Sequence, residues 1–268
     1  MERKAVILER EAAVAKILLN RPDSLNAIDH QFSKDFLAVL DECFWDDKIR
    51  AIVITGIGRI FSAGGDVKVM MQHVQKSKPP QTGKILHELT GLFHPVIMAI
   101  RKIRKPVIAA VNGGALGGGF GIALACDMIV AGESTRFNMA YILVGLVPDC
   151  GSSFFLTRNL GIQKASELIF TGRMIDSTEA YRLNLVNKIV PDEKVVEEAM
   201  IEAKKLSHGP AHALSLAKEL INKALFSSLE EQLEYEREAI TEAGKDPDFK
   251  EGLQAFFEKR KPEFFKKR

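Results

Sequence analysis

Cysteine is scarce in this sequence, and no apolar run is long enough to cross a membrane. The three cysteines, Cys43, Cys126 and Cys150, have no paired spacing, so we expect reduced thiols rather than a disulfide framework. No uninterrupted apolar stretch reaches the roughly 20 residues that a membrane-spanning helix requires. Charges interrupt the short apolar run at the N-terminus before it could form a signal-peptide core. These absences predict a cytoplasmic protein without a membrane partner.

An excess of charge of one sign is also lacking. The 37 basic and 35 acidic residues leave a formal net charge of +2, which creates no global field for a nucleic-acid partner. The histidines are scattered, and Pro210 between His208 and His212 opposes a helical metal-binding pair. We therefore expect no nucleic acid and no metal. A hydrophobic content of 46% in 268 residues is sufficient for a full core.

The apolar pattern of the first half alternates between strands and helices. Strands are predicted at Ala5–Leu8, Ala13–Leu19, Ala51–Thr55, Val107–Val111 and Met128–Ala131. Helices are predicted at Gln31–Trp45, Gly65–Val74 and Lys84–Ile103. This alternation is typical of an α/β fold.

From about residue 149 onward the pattern becomes mainly helical. We therefore divide the chain into a core, residues 1–195, and a C-terminal helical region, residues 196–268, which acts as a cap or an oligomerisation element. Helices are predicted at Ser152–Leu160, Gln163–Phe170, Ser177–Leu183, Glu193–Leu206, Ala211–Phe226, Leu229–Ala243 and Phe249–Phe257. The polar segment Gln75–Gly83 is predicted to be a surface loop, with a mobile substrate lid as the alternative.

Two glycine-rich turns each precede a predicted helix. Gly113–Gly121 follows a buried strand, but it contains neither Gly-x-Gly-x-x-Gly nor a Walker ending, which argues against a dinucleotide or P-loop site. Its glycines either allow close helix packing or let a ligand reach backbone N–H groups at a helix start. Phe61–Asp66 is a second such turn. Two converging N–H donors are what a carbonyl oxygen gaining negative charge requires, so together the turns favour an anion hole.

The order and spacing of several motifs resemble one family. The motifs are Leu19–Pro22 with Asn26 and Ala27, Phe61–Asp66, Val111–Gly119, Ala125–Asp127, Gly145–Pro148, Phe170–Gly172, Leu185 with Val186, and Phe257–Pro262. Together they cover nearly the whole chain. The sequence thereby resembles the enoyl-CoA hydratase/isomerase (crotonase) family.

This resemblance implies an α/β, crotonase-like spiral of ββα units with a C-terminal helical trimerisation region, in a homotrimer or homohexamer. It implies an acyl-CoA substrate, with coenzyme A as part of the substrate and no separate cofactor. The family's oxyanion-hole donors match the N–H groups of Ala63 and Gly118. Lys259 either reaches a CoA phosphate or is a solvated surface charge. The other residues expected along CoA or the thioester are Ser24, Leu25, Ala27, Gly65, Asp66, Val67, Gly114, Gly117 and Tyr141.

The sequence departs from the family's hydratases at both catalytic glutamates, whose positions match Gly121 and Tyr141 here. Each such acid–base group contributes about 10²–10⁴-fold to the rate, so standard hydration chemistry loses its usual groups. Asp149, which follows a proline and precedes a Gly/Ser-rich helix start, resembles the catalytic base of Δ3,Δ2-enoyl-CoA isomerases and of phenylacetyl-CoA ring-epoxide isomerases. From the residues alone, a helix N-cap is the preferred interpretation of Asp149, and it is the resemblance that favours catalysis.

The leading hypothesis is an enoyl-CoA double-bond isomerase in which Asp149 is the single acid and base. One alternative is a hydratase with a rearranged water site. Another is an acyl-CoA hydrolase or dehalogenase using Asp149, supported by the aromatic Tyr141 eight residues earlier, as the family's dehalogenases have. A non-catalytic acyl-CoA binder is the fourth. Cys150 lacks an evident partner and is expected to line the pocket rather than attack the substrate.

Overall fold

The computed structural model describes residues 4–76 and 81–264. Its strands are β1 (Val6–Glu11), β2 (Val14–Leu19), β3 (Ala51–Gly56), β4 (Val107–Val111), β5 (Gly114–Leu116), β6 (Met128–Gly132), β7 (Arg136–Asn138), β8 (Ile175–Asp176) and β9 (Lys188–Val190). Its helices are α1 (His30–Trp45), α2 (Val67–Lys76), α3 (Gln81–Lys102), α4 (Gly118–Ala125), α5 (Ser152–Thr171), α6 (Ser177–Arg182), α7 (Val195–Ser207), α8 (Ala211–Ala224), α9 (Leu229–Ala243) and α10 (Pro247–Phe257).

A six-stranded sheet in the order β1-β2-β3-β4-β6-β9 forms the centre of the core. Only the β1–β2 pair of this sheet is antiparallel; its other pairs are parallel. Because side chains alternate along a strand, Ile52 and Ile54 of β3 pack on one face while Ala51 and Val53 pack on the other. Helices α1, α3 and α4 cover the first face, and α7 covers the second. Burial on both faces explains why β3 and β4 are continuous apolar runs.

A smaller sheet, β5-β7-β8, lies beside the main one. Single bridges join Ile28 to Gly65 and Ser62 to Ala115, so the turn after β3 is tied to both the segment before α1 and the strand before α4. Gly64 sits at this crossing with φ +84°, and a Cβ there would lie 2.9 Å from the Gly118 nitrogen. Only glycine allows this close approach, which brings the two glycine-rich turns together.

The predicted organisation agrees with most of the observed elements. The predicted helices at 152–160 and 163–170 form one helix, α5, that is interrupted at Gly161, where φ is 74° and ψ is 170°. The predicted Gln75–Gly83 loop is shorter, because 75–76 belong to α2 and 81–83 to α3; its remaining residues lie outside the described part of the chain. Among the described residues, no helix has both the length and the apolar character needed to span a membrane.

Candidate active site

A cavity of about 250 Å³ opens between helices α2 and α3 on one side and residues 140–150 on the other. Both glycine-rich turns reach it, through Ala63 and Gly65 and through Gly117 and Gly118. Its apolar walls come from Ile28, Val67, Met70, Leu86, Leu89, Phe93, Val144, Leu146 and Val147. Asp149 is the only acidic side chain among the described residues that line it. The cavity therefore combines an apolar slot, backbone donors and one carboxylate.

The backbone N–H groups of Gly65 and Gly118 reach the cavity from the two glycine-rich turns, and neither donates in the backbone hydrogen bonds of the described turns and loops. Gly118 is the first residue of α4, so its N–H has no acceptor in the helix and lies at the positive end of the helix dipole. A carbonyl oxygen placed between these groups could accept from both. The sequence located the two turns but not the individual donor in the first of them.

The predicted donor role of Ala63 is wrong. The Ala63 N–H donates to the Leu25 carbonyl at 3.0 Å, and the Asp66 N–H donates to the Ile28 carbonyl at 3.0 Å. In the parallel bridge between Ile28 and Gly65, the backbone of Ile28 bonds to the Gly64 carbonyl and the Asp66 N–H, so the Gly65 N–H takes no part in it. Ala63 keeps its predicted place in the lining, whereas the free donor is Gly65.

Asp149 and Tyr141 are hydrogen-bonded to each other at the edge of the cavity. The Tyr141 hydroxyl donates to Oδ1 of Asp149. The N-cap alternative for Asp149 is wrong: α5 begins at Ser152, its N-cap is Gly151, and no side chain bonds to this helix start. Only the backbone carbonyl of Asp149 takes part, accepting from the Ser152 N–H at 2.9 Å. The carboxylate is therefore free of a capping role.

The position that the resemblance assigns to the first hydratase glutamate is filled. A Cβ on Gly121 would lie 2.7 Å from the Cβ of Cys150, 2.9 Å from its carbonyl oxygen and 3.0 Å from Oγ of Ser152. These distances are below normal van der Waals contact, and two of the three neighbours are rigid near-backbone atoms. A glutamate side chain would have to displace the chain around Cys150.

Burial keeps two other groups at the site protonated. It raises the pKa of the Tyr141 hydroxyl, and the neighbouring Cys150 and Asp149 raise it further. It also raises the pKa of the Cys150 thiol, and Asp149 adds to this shift. At neutral pH, Tyr141 is a hydrogen-bond donor and Cys150 is a thiol rather than a nucleophilic thiolate. This agrees with the expectation that Cys150 lines the pocket.

Asp66 caps the start of helix α2. Its Oδ1 accepts from the N–H groups of Lys68 and Val69, and Arg21 lies 3.2 Å from its Oδ2. Both carboxylate oxygens therefore have partners within the chain, and the expected contact between Asp66 and CoA stays a prediction. Arg21 also pairs with Asp29 at 2.8 Å, and so ties the turn before α1 to the start of α2.

The remaining predicted ligand residues divide into two groups. Val67 and Gly117 line the cavity. Gly114 does not: it belongs to β5, its N–H donates to Asn112, and its carbonyl accepts from Phe61 and Ser62. Ser24, Leu25, Ala27 and Lys259 lie outside the cavity lining, and their contacts with CoA stay predictions. The sequence did not identify Ile28, Met70 or the cavity-lining residues of α3. Their apolar side chains cannot be distinguished from core residues in the hydrophobic pattern of the sequence.

Within the described ranges, no group of three or more His, Cys, Asp or Glu side chains could hold a metal ion. Asp127, which follows the glycine-rich segment, pairs with Arg101 at 3.0 Å and Lys218 at 2.7 Å. It lies at the far end of α4 from the cavity and holds helices together.

Comparisons with known proteins agree with this geometry. The family model "Enoyl-CoA hydratase/isomerase" matches residues 9–267. A Mycobacterium tuberculosis protein named "Probable enoyl-CoA hydratase" is 38% identical over 264 residues, covering 98% of this chain and 99% of that protein. The 1,2-epoxyphenylacetyl-CoA isomerase of Escherichia coli is 34% identical, with 95% of each chain covered.

The fold is also that of solved relatives. The crystal structure of an enoyl-CoA hydratase from Polaromonas sp. JS666 superposes with a TM-score of 0.89 at 35% identity, covering 96% of this chain and 98% of that one. The predicted crotonase-like α/β fold with its C-terminal helical region is thus confirmed. The chain belongs to the enoyl-CoA hydratase/isomerase family and is an acyl-CoA enzyme with the crotonase fold.

Proposed function

We propose that this enzyme moves the double bond of an enoyl-CoA between C3 and C2, with Asp149 as its single acid and base. One observation carries the proposal: the described lining of the cavity contains one carboxylate, Asp149, while the space for the first hydratase glutamate is filled by Cys150 and Ser152. The second glutamate is replaced by Tyr141, whose raised pKa keeps its proton in place. A proton transfer that needs only one carboxylate suits this inventory.

The thioester oxygen is proposed to lie between the N–H groups of Gly65 and Gly118. Neither group donates in the backbone hydrogen bonds of the described turns and loops, and both reach the cavity. They would stabilise the negative charge that develops on this oxygen, and removing one such donor typically costs about 10²–10³-fold in rate. Because backbone donors meet this charge, the reaction needs no metal and no redox cofactor. Activity should therefore survive EDTA.

The reaction proceeds in two proton transfers. Asp149 removes a C2 proton from 3-enoyl-CoA; the C–H electrons form a C1–C2 double bond, and the thioester oxygen becomes an enolate. The oxygen electrons then re-form the C1=O bond, the C1–C2 double-bond electrons move to C2–C3, and the C3–C4 double-bond electrons form the new C4–H bond with the proton from Asp149. The carboxylate is regenerated, and no water is consumed. The apolar walls formed by Leu86, Leu89 and Phe93 would keep water from the intermediate.

A hydratase is the second candidate, and the names of the relatives favour it. Asp149 would then have to activate water and protonate carbon by itself. A hydrolase or dehalogenase with Asp149 as nucleophile is the third candidate, and the hydrogen bond from Tyr141 to Asp149 does not separate it from the isomerase.

Parallel assays with 3-hexenoyl-CoA and 2-hexenoyl-CoA, followed by mass-spectrometric product analysis, test the proposal. The isomerase should convert the first to 2-enoyl-CoA much faster than it converts the second to 3-hydroxyacyl-CoA. A higher kcat/KM for hydration would replace isomerisation as the function, and free CoA or released halide would indicate the hydrolase or dehalogenase. Binding without exchange of the C2 proton would leave a non-catalytic binder.

We also propose that the enzyme is a homotrimer or homohexamer assembled through residues 196–268. The support is a set of exposed apolar side chains on α9 and α10, since large exposed apolar patches mark interaction surfaces. They are Leu229, Leu233, Ile240, Phe249, Leu253, Phe256 and Phe257. Sedimentation equilibrium of the full chain tests the assembly, and a monomer at micromolar concentration would contradict it.

A further inference from the structure

Tyr141 contacts the proposed base directly and is the side chain that can determine which carboxylate oxygen carries the proton. Its hydroxyl donates to Oδ1 of Asp149, and among the described side chains only the weakly donating thiol of Cys150 also interacts with this carboxylate. We propose that Tyr141 is a positioning residue that holds Oδ1 and leaves Oδ2 as the one atom that shuttles the proton. The proposal rests on the proposed role of Asp149 as acid and base.

The surroundings of Tyr141 suit a permanent donor. Its ring lies beside the oxyanion-hole edge, because a Cβ on Gly117 would be 3.8 Å from the ring and a Cβ on Gly118 would be 3.5 Å from the hydroxyl oxygen. The hydroxyl therefore approaches Asp149 from the side where the thioester is proposed to bind. A phenol that keeps its proton can stabilise the carboxylate but cannot compete for the C2 proton of the substrate.

The hydrogen bond from Tyr141 to Oδ1 of Asp149 determines where the proton taken from the substrate goes. After the first transfer the new O–H bond is on Oδ2, because Oδ1 already accepts from Tyr141. Rotation of the carboxyl group would break that hydrogen bond, so the proton stays directed at the bound enolate. The same proton should then be delivered to C4 before it exchanges with water. Without Tyr141 the carboxyl group could rotate, and exchange with water would compete.

The experiment uses 3-hexenoyl-CoA deuterated at C2, in ordinary water, with the fraction of deuterium that reaches C4 measured by mass spectrometry. Tyr141→Phe should lower kcat about tenfold or more, as expected for loss of a hydrogen bond to a charged group. KM should change less than about twofold if binding is unaltered. Deuterium transfer to C4 should fall by at least half, and the acidic limb of the pH–rate profile should move to higher pH.

The matched control is Tyr181→Phe, which removes a hydroxyl from an exposed tyrosine outside the cavity and should leave every readout unchanged. A double-mutant cycle with Asp149→Asn provides the second control, since Tyr141→Phe should have little further effect once the carboxylate is gone. Equal losses from Tyr141→Phe in the parent and in the Asp149→Asn variant, or unchanged deuterium transfer in Tyr141→Phe, would overturn the positioning role.

The outcomes separate this proposal from the proposed function. If the parent enzyme exchanges the C2 proton of hexanoyl-CoA but does not isomerise 3-hexenoyl-CoA, the proposed isomerase function is wrong. The double-mutant cycle of Tyr141→Phe and Asp149→Asn is then carried out with the rate of C2 proton exchange as its readout. Coupling between positions 141 and 149 in that rate would still support the positioning role, and its absence would overturn it. If the parent shows neither reaction, both proposals fail.

Discussion

Asp149 is the proposed acid and base, and its side chain does not cap the start of α5. Asp149→Asn should therefore lower isomerase kcat by at least about a hundredfold. Its melting temperature should stay close to that of the parent, because the Asn oxygen can still accept from Tyr141. Steady-state kinetics and thermal unfolding give the two readouts.

The matched control is an aspartate that does cap a helix. The Asp176 carboxylate accepts from the Glu179 N–H at 2.7 Å. Asp176→Ala should cost about 1 kcal/mol of unfolding free energy and leave kcat unchanged. The catalytic assignment would not survive an Asp149→Asn variant that isomerises at the parent rate.

Gly121, whose position matches the first hydratase glutamate, has little room for a side chain. Gly121→Ala should destabilise the fold by about 1–3 kcal/mol, because the new methyl group overlaps Cys150 and Ser152.

Gly91→Ala is the control: Gly91 lies in α3 with open space around it, so the substitution should stabilise by about 0.5–1 kcal/mol. Chemical denaturation measures both. A Gly121→Glu variant that hydrates crotonyl-CoA with parental stability would show that the space is not closed.

The individual residues of the site were predictable to different degrees. Asp149 could be found, because a carboxylate beside a proline and a helix start is a distinctive signal. Gly65 was missed in favour of Ala63, since the choice depends on which N–H groups the Ile28 segment takes up, and no local pattern shows that pairing. The hydrogen bond between Tyr141 and Asp149 spans a 3₁₀ turn and also leaves no signal in the sequence.

Helix α8 is held to the core by a buried charge cluster. The Lys218 ammonium group donates to the carbonyls of Ile100 and Lys105 and to Asp127, and Arg101 binds both Asp127 and Asn222. Burial lowers the pKa of Lys218, while the adjacent Asp127 opposes this shift. The cluster connects the C-terminal helices to the ends of α3 and β4.

Lys218→Met should therefore lower the unfolding free energy by about 3 kcal/mol. The substitution leaves Arg101 as the remaining cation beside Asp127, and it removes the donor that Lys218 supplies to the carbonyls of Ile100 and Lys105. Since the cluster lies outside the cavity, kcat should change less than about twofold at temperatures where the protein is folded. Lys245→Met, which removes an exposed ion pair with Glu242, should stay within about 0.5 kcal/mol of the parent. Equal effects of both substitutions would mean that the cluster does not stabilise α8.

The long elements were predictable, whereas the short ones were not. Strands β3 and β4 and helices α1, α8 and α9 have clear apolar periodicity and appear near their expected places. The second sheet was missed because β5, β7 and β8 have three, three and two residues, too few for a periodic pattern. The sequence likewise could not show that α5 continues through Gly161.

Stability of the whole molecule should depend on pH through its three buried thiols. Burial raises the pKa of Cys43 to about 12, and it raises the pKa values of Cys126 and Cys150 as well. In the unfolded chain a thiol ionises near pH 8.5, so above that pH unfolding releases protons that the folded state keeps. Stability should be unaffected by the thiols below about pH 8 and fall above it, by about 1.4 kcal/mol per pH unit for each thiol.

Urea unfolding at several values between about pH 7.5 and pH 9.5, below the main lysine titration, measures this slope. Cys43→Ala should make the decline less steep, because one of the three titrating thiols is gone. A slope that is the same in the parent and in Cys43→Ala would show that Cys43 is not protonated preferentially in the folded state.

Recognition of the complete substrate combines features from the whole molecule: two N–H donors from separate turns, an apolar cavity of about 250 Å³, and the proposed CoA contacts near Ser24–Ala27. A free fatty acid lacks the nucleotide and carries a charge where the thioester is neutral. Calorimetry should therefore give hexanoyl-CoA an affinity at least about tenfold higher than CoA alone, because its acyl chain buries apolar surface worth about 0.8 kcal/mol per CH₂. Hexanoate should show no measurable binding at millimolar concentration.

Asp149→Asn should bind hexanoyl-CoA as the parent does, since its backbone donors are unchanged. Equal affinities for hexanoate and hexanoyl-CoA would contradict the acyl-CoA site itself.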